Sequence, residues 1–148
     1  MKSRVPVKEQ ATRAALLPAL TTHHQETLKT YIQEIRASLG LKDADAVYAQ
    51  AKRLYLELMR HIEEENSPKG FYGEIEHKAP RFSFWLKRLR LQHQEILDDL
   101  RMICADSDDD LASIAPMIED CLALIVRNEL DEEELIDEAF FRDEGAGG

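Results

Sequence analysis

A chain of 148 residues fits a single domain that can bury a proper core without disulfides. Its net charge of −10 argues against nucleic acid and anionic membranes as partners. No apolar run is long enough to span a membrane, and Met1 to Pro6 leads into no signal-peptide core. Cys104 and Cys121 stand far apart among apolar neighbours, so both are expected to be small core residues in a reduced, cytoplasmic setting. Glycine and proline are scarce and clustered, and no Val/Ile/Thr alternation marks a strand, which gives an all-α fold class.

Residues 1–10 are polar and read as loose. The first long helix is expected from about Gln10 or Pro18 to Leu39, with Gly40 stopping it. Its apolar stripe is Leu17, Leu20, His24, Leu28, Tyr31, Ile35 and Leu39, so His24 points inward. His23 falls with Thr27, Thr30 and Glu34 on the polar side. A second helix starts near Asp43, an acceptable N-cap, and carries Val47, Ala51, Leu54, Leu58, His61 and Glu65 inward. The turn Asn66-Ser67-Pro68-Lys69-Gly70 ends it.

Phe71 to Ala79 reads as a short helix or an ordered loop, and Pro80 opens the third long helix at a first-turn position. There Phe82, Leu86, Leu89, His93, Ile96, Leu100 and Ile103 face inward, with Trp85 on the flank. Residues 105–110 form an acidic turn suited to a helix N-terminus; they lack the glycine and closing glutamate of a calcium loop. The fourth helix runs from about Leu111 to Phe141 with the stripe Ile114, Met117, Cys121, Ile125, Asn128, Glu132, Leu135 and Ala139. A glycine-rich tail follows. Four amphipathic helices with short connections predict an up-down-up-down antiparallel bundle.

Polar residues interrupt each inward stripe. His24, His61, His93 and Asn128 are separated by 37, 32 and 35 residues, about one helix plus one turn each time. In an antiparallel bundle that spacing brings them to one level, with Glu65 and Glu132 one turn away. Burying such groups unpaired is costly, so the residues point either to a metal ion or to a closed hydrogen-bond network. Imidazole and carboxylate from several helices suit iron, manganese or zinc. The ferritin-like pattern needs Glu-x-x-His twice, and here that spacing occurs once, at Glu74 and His77.

In His61-x-x-x-Glu65, His24-x-x-x-Leu28, His93-x-x-x-Leu97 and the closing Asn128-Glu129-Leu130-Asp131-Glu132, the chain resembles the hemerythrin-like (HHE) domains over roughly residues 14–143. The resemblance implies a bundle holding non-heme iron as a di-iron centre. His24 and His61 would serve one iron and His93 the other, with Glu65 and Glu132 bridging. Asn128 stands where the family usually has histidine, and Leu89 where a second histidine often precedes His93. The implied site is therefore incomplete beside His93, where the Asn128 carbonyl is at best a weak ligand.

No catalytic triad and no glycine-rich phosphate loop is recognisable, so an enzyme is not expected. Two function classes follow. One is a metal-binding module for oxygen, iron or redox signals, taking dioxygen or another small ligand. The other is a metal-free bundle that serves as an interaction domain. The stripe assignment makes His24 important and His23 dispensable. His24→Ala is expected to lower thermal stability or metal content, and His23→Ala to change neither; equal effects would overturn the register.

Overall fold

Hydrophobic periodicity organises the observed helices much as the sequence implies. The computed structural model describes residues 26–105 and 110–142, and these form an all-α four-helix bundle with no strand among the described residues. The start of the first helix, His23 and His24, the acidic residues 106–109 and the glycine-rich tail lie outside the described residues.

Helix α1 covers 26–40 and buries Leu28, Ile32 and Ile35, with Tyr31 and Leu39 packed on the flanks. Its end corrects the expectation for Gly40, which is still helical. The Lys42 N–H donates to the Leu39 carbonyl at 3.1 Å and the Asp43 N–H to the Ser38 carbonyl at 3.0 Å. That pair of bonds closes the helix around a left-handed residue, and the residue is Lys42, with φ 57°. Asp43 then caps α2 (Ala44–Asn66), its carboxylate accepting from the Ala46 N–H at 3.2 Å. Helix α2 buries Val47, Ala51, Leu54, Leu58 and His61.

After α2 the chain doubles back at very close range. A Cβ on Gly70 would overlap the backbone carbonyls of Glu64 and Glu65, and one on Gly73 would lie 2.5 Å from the Ser67 carbonyl oxygen. The two glycines let the short helix α3 (Phe71–Lys78) rest against the end of α2 and bury Phe71, Tyr72 and Ile75. A single 3-10 turn, Pro80–Phe82, leads into α4 (Ser83–Ala105), which buries Leu86, Leu89, His93, Ile96, Leu100 and Ile103. Phe82 is only partly buried, on the rim of the core.

Helix α5 (Leu111–Ile136) is capped by Asp110, and Ile118 takes the fully inward place expected of Met117. A wide π turn, Asp137–Arg142, follows, with the Asp137 N–H shared between the Glu133 and Glu134 carbonyls. It carries Ala139 and Phe140 into contact with the cluster around α3.

The core has two apolar parts. One joins α1, α2, α4 and α5 through residues such as Ile35, Leu54, Leu100 and Ile125. The other joins α3, the start of α4 and the end of α5 through Tyr72, Ile75, Leu86, Leu89 and Leu135. Each fully buried leucine or isoleucine contributes about 1.5–3 kcal/mol, so these clusters hold the bundle together. Along α4 the switch from one cluster to the other falls between Ile96 and Leu89, and along α5 between Ile125 and Leu135. His93, Asn128 and Glu132 occupy the gap, and all three are buried.

Candidate metal centre

Three helices deliver acid and imidazole groups to this gap. One ligand atom each from Glu65 on α2, His93 on α4 and Glu132 on α5 lie within 4.8 Å of one another. Among the described residues they are the single group of this kind. His93 Nε2 lies 2.8 Å from Glu132 Oε1 and 3.1 Å from Asn128 Oδ1. Glu65 is partly buried as a residue, yet its Oε2 is sealed from solvent and has no hydrogen-bond partner. His93 Nδ1 is likewise buried and unpartnered.

Tyr72 is the residue that sequence reasoning missed. Its hydroxyl donates to Glu132 Oε1 at 2.8 Å and lies 3.2 Å from His93 Nε2. Burial, then the charges of Glu132 and Glu65, push its phenol far up, so it stays a donor. The ring stacks on His93 with centroids 5.4 Å apart and lies under the Arg90 guanidinium. Arg90 also donates to Asn66 Oδ1 at 2.7 Å and pairs with Glu76, tying α4 to the end of α2 and to α3. A signal existed in the sequence. Phe71, Tyr72, Ile75 and Ala79 share helical spacing, and a tyrosine on a buried face needs an acceptor for its hydroxyl. Tyr31 and Tyr55 are within reach of the layer by register, but a tyrosine in a helix stripe is expected to be core packing, and both pack on the rim of the larger cluster.

His61, which the resemblance pairs with His24, can be followed only in part, because His24 lies outside the described residues. His61 is buried as expected, but its Nε2 meets Glu57 Oε1 at 2.7 Å, outside the group formed by Glu65, His93 and Glu132. Glu57 also accepts from Arg60 at 2.5 Å, and that guanidinium, with the imidazole, holds its carboxyl below the usual range. Helical spacing puts a residue on a face; the neighbouring Glu57-Arg60 pair decides where its nitrogen points. Among the described residues the convergence forms on the His93 side, where Asn128 and Leu89 leave this chain with fewer nitrogen ligands than the resemblance implies.

The electrostatics are those of a site short of positive charge. Burial, followed by the charge of Glu132 and a hydrogen bond to it, drives the Glu65 carboxyl well above the ordinary range. Glu129, one turn behind on α5, is pushed up to about 8 by burial and by Glu132 and Glu133, and its Oε1 has no partner. Such groups either keep their protons or need a cation. The orphaned Glu65 oxygen, the paired carboxyls and the imidazole fit a metal ion bound by nitrogen and oxygen. Neither thiol belongs to the group; burial pushes Cys121 up to about 12 and raises Cys104 as well. Comparison with protein-family models, with curated proteins and with solved structures gave no match.

Glu129 gives the sign of a pH effect. Its folded-state pKa is raised, so its stabilising contribution is full below the unfolded value near 4.5 and is lost as pH rises toward about 8. Glu65 acts in the same direction. In chelator, the urea midpoint of the parent is expected to fall across that window. Glu129→Gln is expected to flatten the slope and raise the midpoint at its alkaline end; an unchanged slope would contradict the assignment.

Proposed function

We propose that this chain is a hemerythrin-like metal-binding module with an incomplete centre that takes one ion, iron by preference, and serves oxygen, iron or redox sensing or storage in the cytoplasm. The observation that carries the reading is the convergence of Glu65, His93 and Glu132 from three helices, with a sealed carboxyl oxygen left over. Glu65 and Glu132 would balance the ion's charge, His93 would give the nitrogen, and Asn128 Oδ1 is the nearest neutral oxygen to that imidazole. Tyr72 holds Glu132 by its hydroxyl, and Leu89 and Leu135 belong to the buried apolar cluster that Tyr72 joins. Iron held there would supply a one-electron redox change and an open position for dioxygen or another small ligand.

The single-ion centre is drawn from the residues that converge, Glu65, His93 and Glu132; His61 Nε2 meets Glu57, and His24 lies outside the described residues. A cytoplasmic setting agrees with two free thiols, and no helix among the described residues is long and apolar enough to cross a membrane. One observation favours a second reading, a metal-free interaction domain. Tyr72, His93, Asn128 and Glu132 already bond to one another, which partly satisfies the layer without an ion.

The two readings separate on metal content. Protein purified without an affinity tag, then exposed anaerobically to ferrous iron and desalted, is expected to retain close to one ion per chain. Glu65→Gln and Glu132→Gln keep the shape but remove the charge, and each is expected to lose the metal while unfolding no earlier than the metal-free parent. A parent that retains no iron, manganese or zinc would leave the interaction domain as the account.

A further inference from the structure

A chain of side chains runs from the buried layer to the surface, and its direction is fixed from outside. Asp131 on α5 sits at a cleft of about 250 Å³ between α4 and α5, also lined by Gln92, Arg127 and Trp85. One carboxylate oxygen pairs with Arg127 Nε at 3.4 Å, and the other accepts from Gln92 Nε2 at 3.0 Å. Gln92 Oε1 in turn accepts from Asn128 Nδ2 at 2.9 Å. The remaining end of Asn128, Oδ1, faces His93 Nε2 at 3.1 Å.

The order of donors and acceptors along this chain is forced. An ion-paired carboxylate only accepts, so Gln92 must turn its NH2 toward Asp131. Its oxygen then faces Asn128, which must turn its own NH2 outward. Reversing Gln92 would set like groups against each other at both of its ends, and reversing Asn128 would set its oxygen against Gln92 Oε1 and lose that bond. Without the relay, Asn128 could turn its NH2 toward the acceptors around His93 Nε2, Glu132 Oε1 among them, and a hydrogen bond to a carboxylate oxygen is the stronger kind. The relay prevents that.

We infer that Asp131 and Gln92 are positioning residues that hold Asn128 with its carbonyl oxygen turned into the buried layer, making the site rich in oxygen acceptors and selective for a cation. The ligand role of that oxygen rests on the metal-binding reading above; the orientation does not. Asn128 thereby presents an oxygen to His93 Nε2 where a turned-in NH2 would have been a second donor.

Two measurements test this, one without metal. In the metal-free parent, the Asn128 side-chain amide protons are expected to show nuclear Overhauser contacts to Gln92 and none to the Tyr72 or His93 rings. In Gln92→Leu they are expected to gain the ring contacts. Asp131→Asn, which is nearly isosteric, should give two amide environments, because an asparagine can present either end; it serves if the leucine variant does not fold. Parent amide protons found against the rings would overturn the inference.

The second measurement is cobalt(II) affinity by calorimetry. Gln92→Leu is expected to weaken it about tenfold or more, the usual loss when an outer partner of a ligand is removed. In an Asn128→Asp background, where both ends are oxygen, the same change is expected to cause no loss. Equal loss in both backgrounds would contradict the positioning role. A parent that binds no cobalt would refute the metal reading, and the amide contacts would then decide the relay alone.

Discussion

Glu65 and Glu132 meet beside His93 in an interior closed by leucine and isoleucine, and much of the surrounding structure manages what that meeting costs. Each buried polar group without a partner costs about 1–3 kcal/mol, against a total stability of roughly 5–15 kcal/mol for a domain of ordinary size. Glu65 Oε2, His93 Nδ1 and Glu129 Oε1 are such groups. An apolar layer of the same volume would cost less, since replacing buried ionic groups with well-packed hydrophobic ones is often neutral or stabilising. On the metal-binding reading proposed above, a cation offsets that cost, either a proton on Glu65 or a metal ion between the carboxyls.

The short helix α3 belongs to this arrangement. Gly70 and Gly73 allow it to lie against the carbonyls at the end of α2, and Arg90 ties it to α4. Tyr72 is thereby brought over His93 with its hydroxyl on Glu132. The approach tolerates no side chain at position 70, because the overlap would fall on backbone atoms that cannot swing aside. Backbone packing at one end of the bundle and hydrogen bonding in its buried layer are two parts of one construction.

Much of the fold was legible because apolar spacing reports burial directly. The inward places of Leu54, Leu58, His61, Leu86, His93, Ile125, Asn128 and Glu132 follow from period alone, as does the capping role of Asp43. What was not legible depended on a second neighbour. The left-handed residue fell on Lys42 and not Gly40 because the closing bonds run from residues 42 and 43. His61 turned to Glu57 because a carboxylate one turn back on its own helix lay within reach. Spacing along α3 could mark Tyr72 as buried, but its acceptor Glu132 and the Gln92–Asp131 relay come from contacts between elements. His24, the remaining candidate, lies outside the described residues.

The central claim is that a buried surplus of acceptors is balanced by a positive charge that a proton and a metal ion compete to supply. Titrating the metal-free protein with cobalt(II) in buffers of different ionisation enthalpy counts ions and released protons together. The account predicts one ion per chain, with proton release at neutral pH that disappears together with binding in Glu65→Gln. Binding without proton release, or unchanged in that variant, would contradict it.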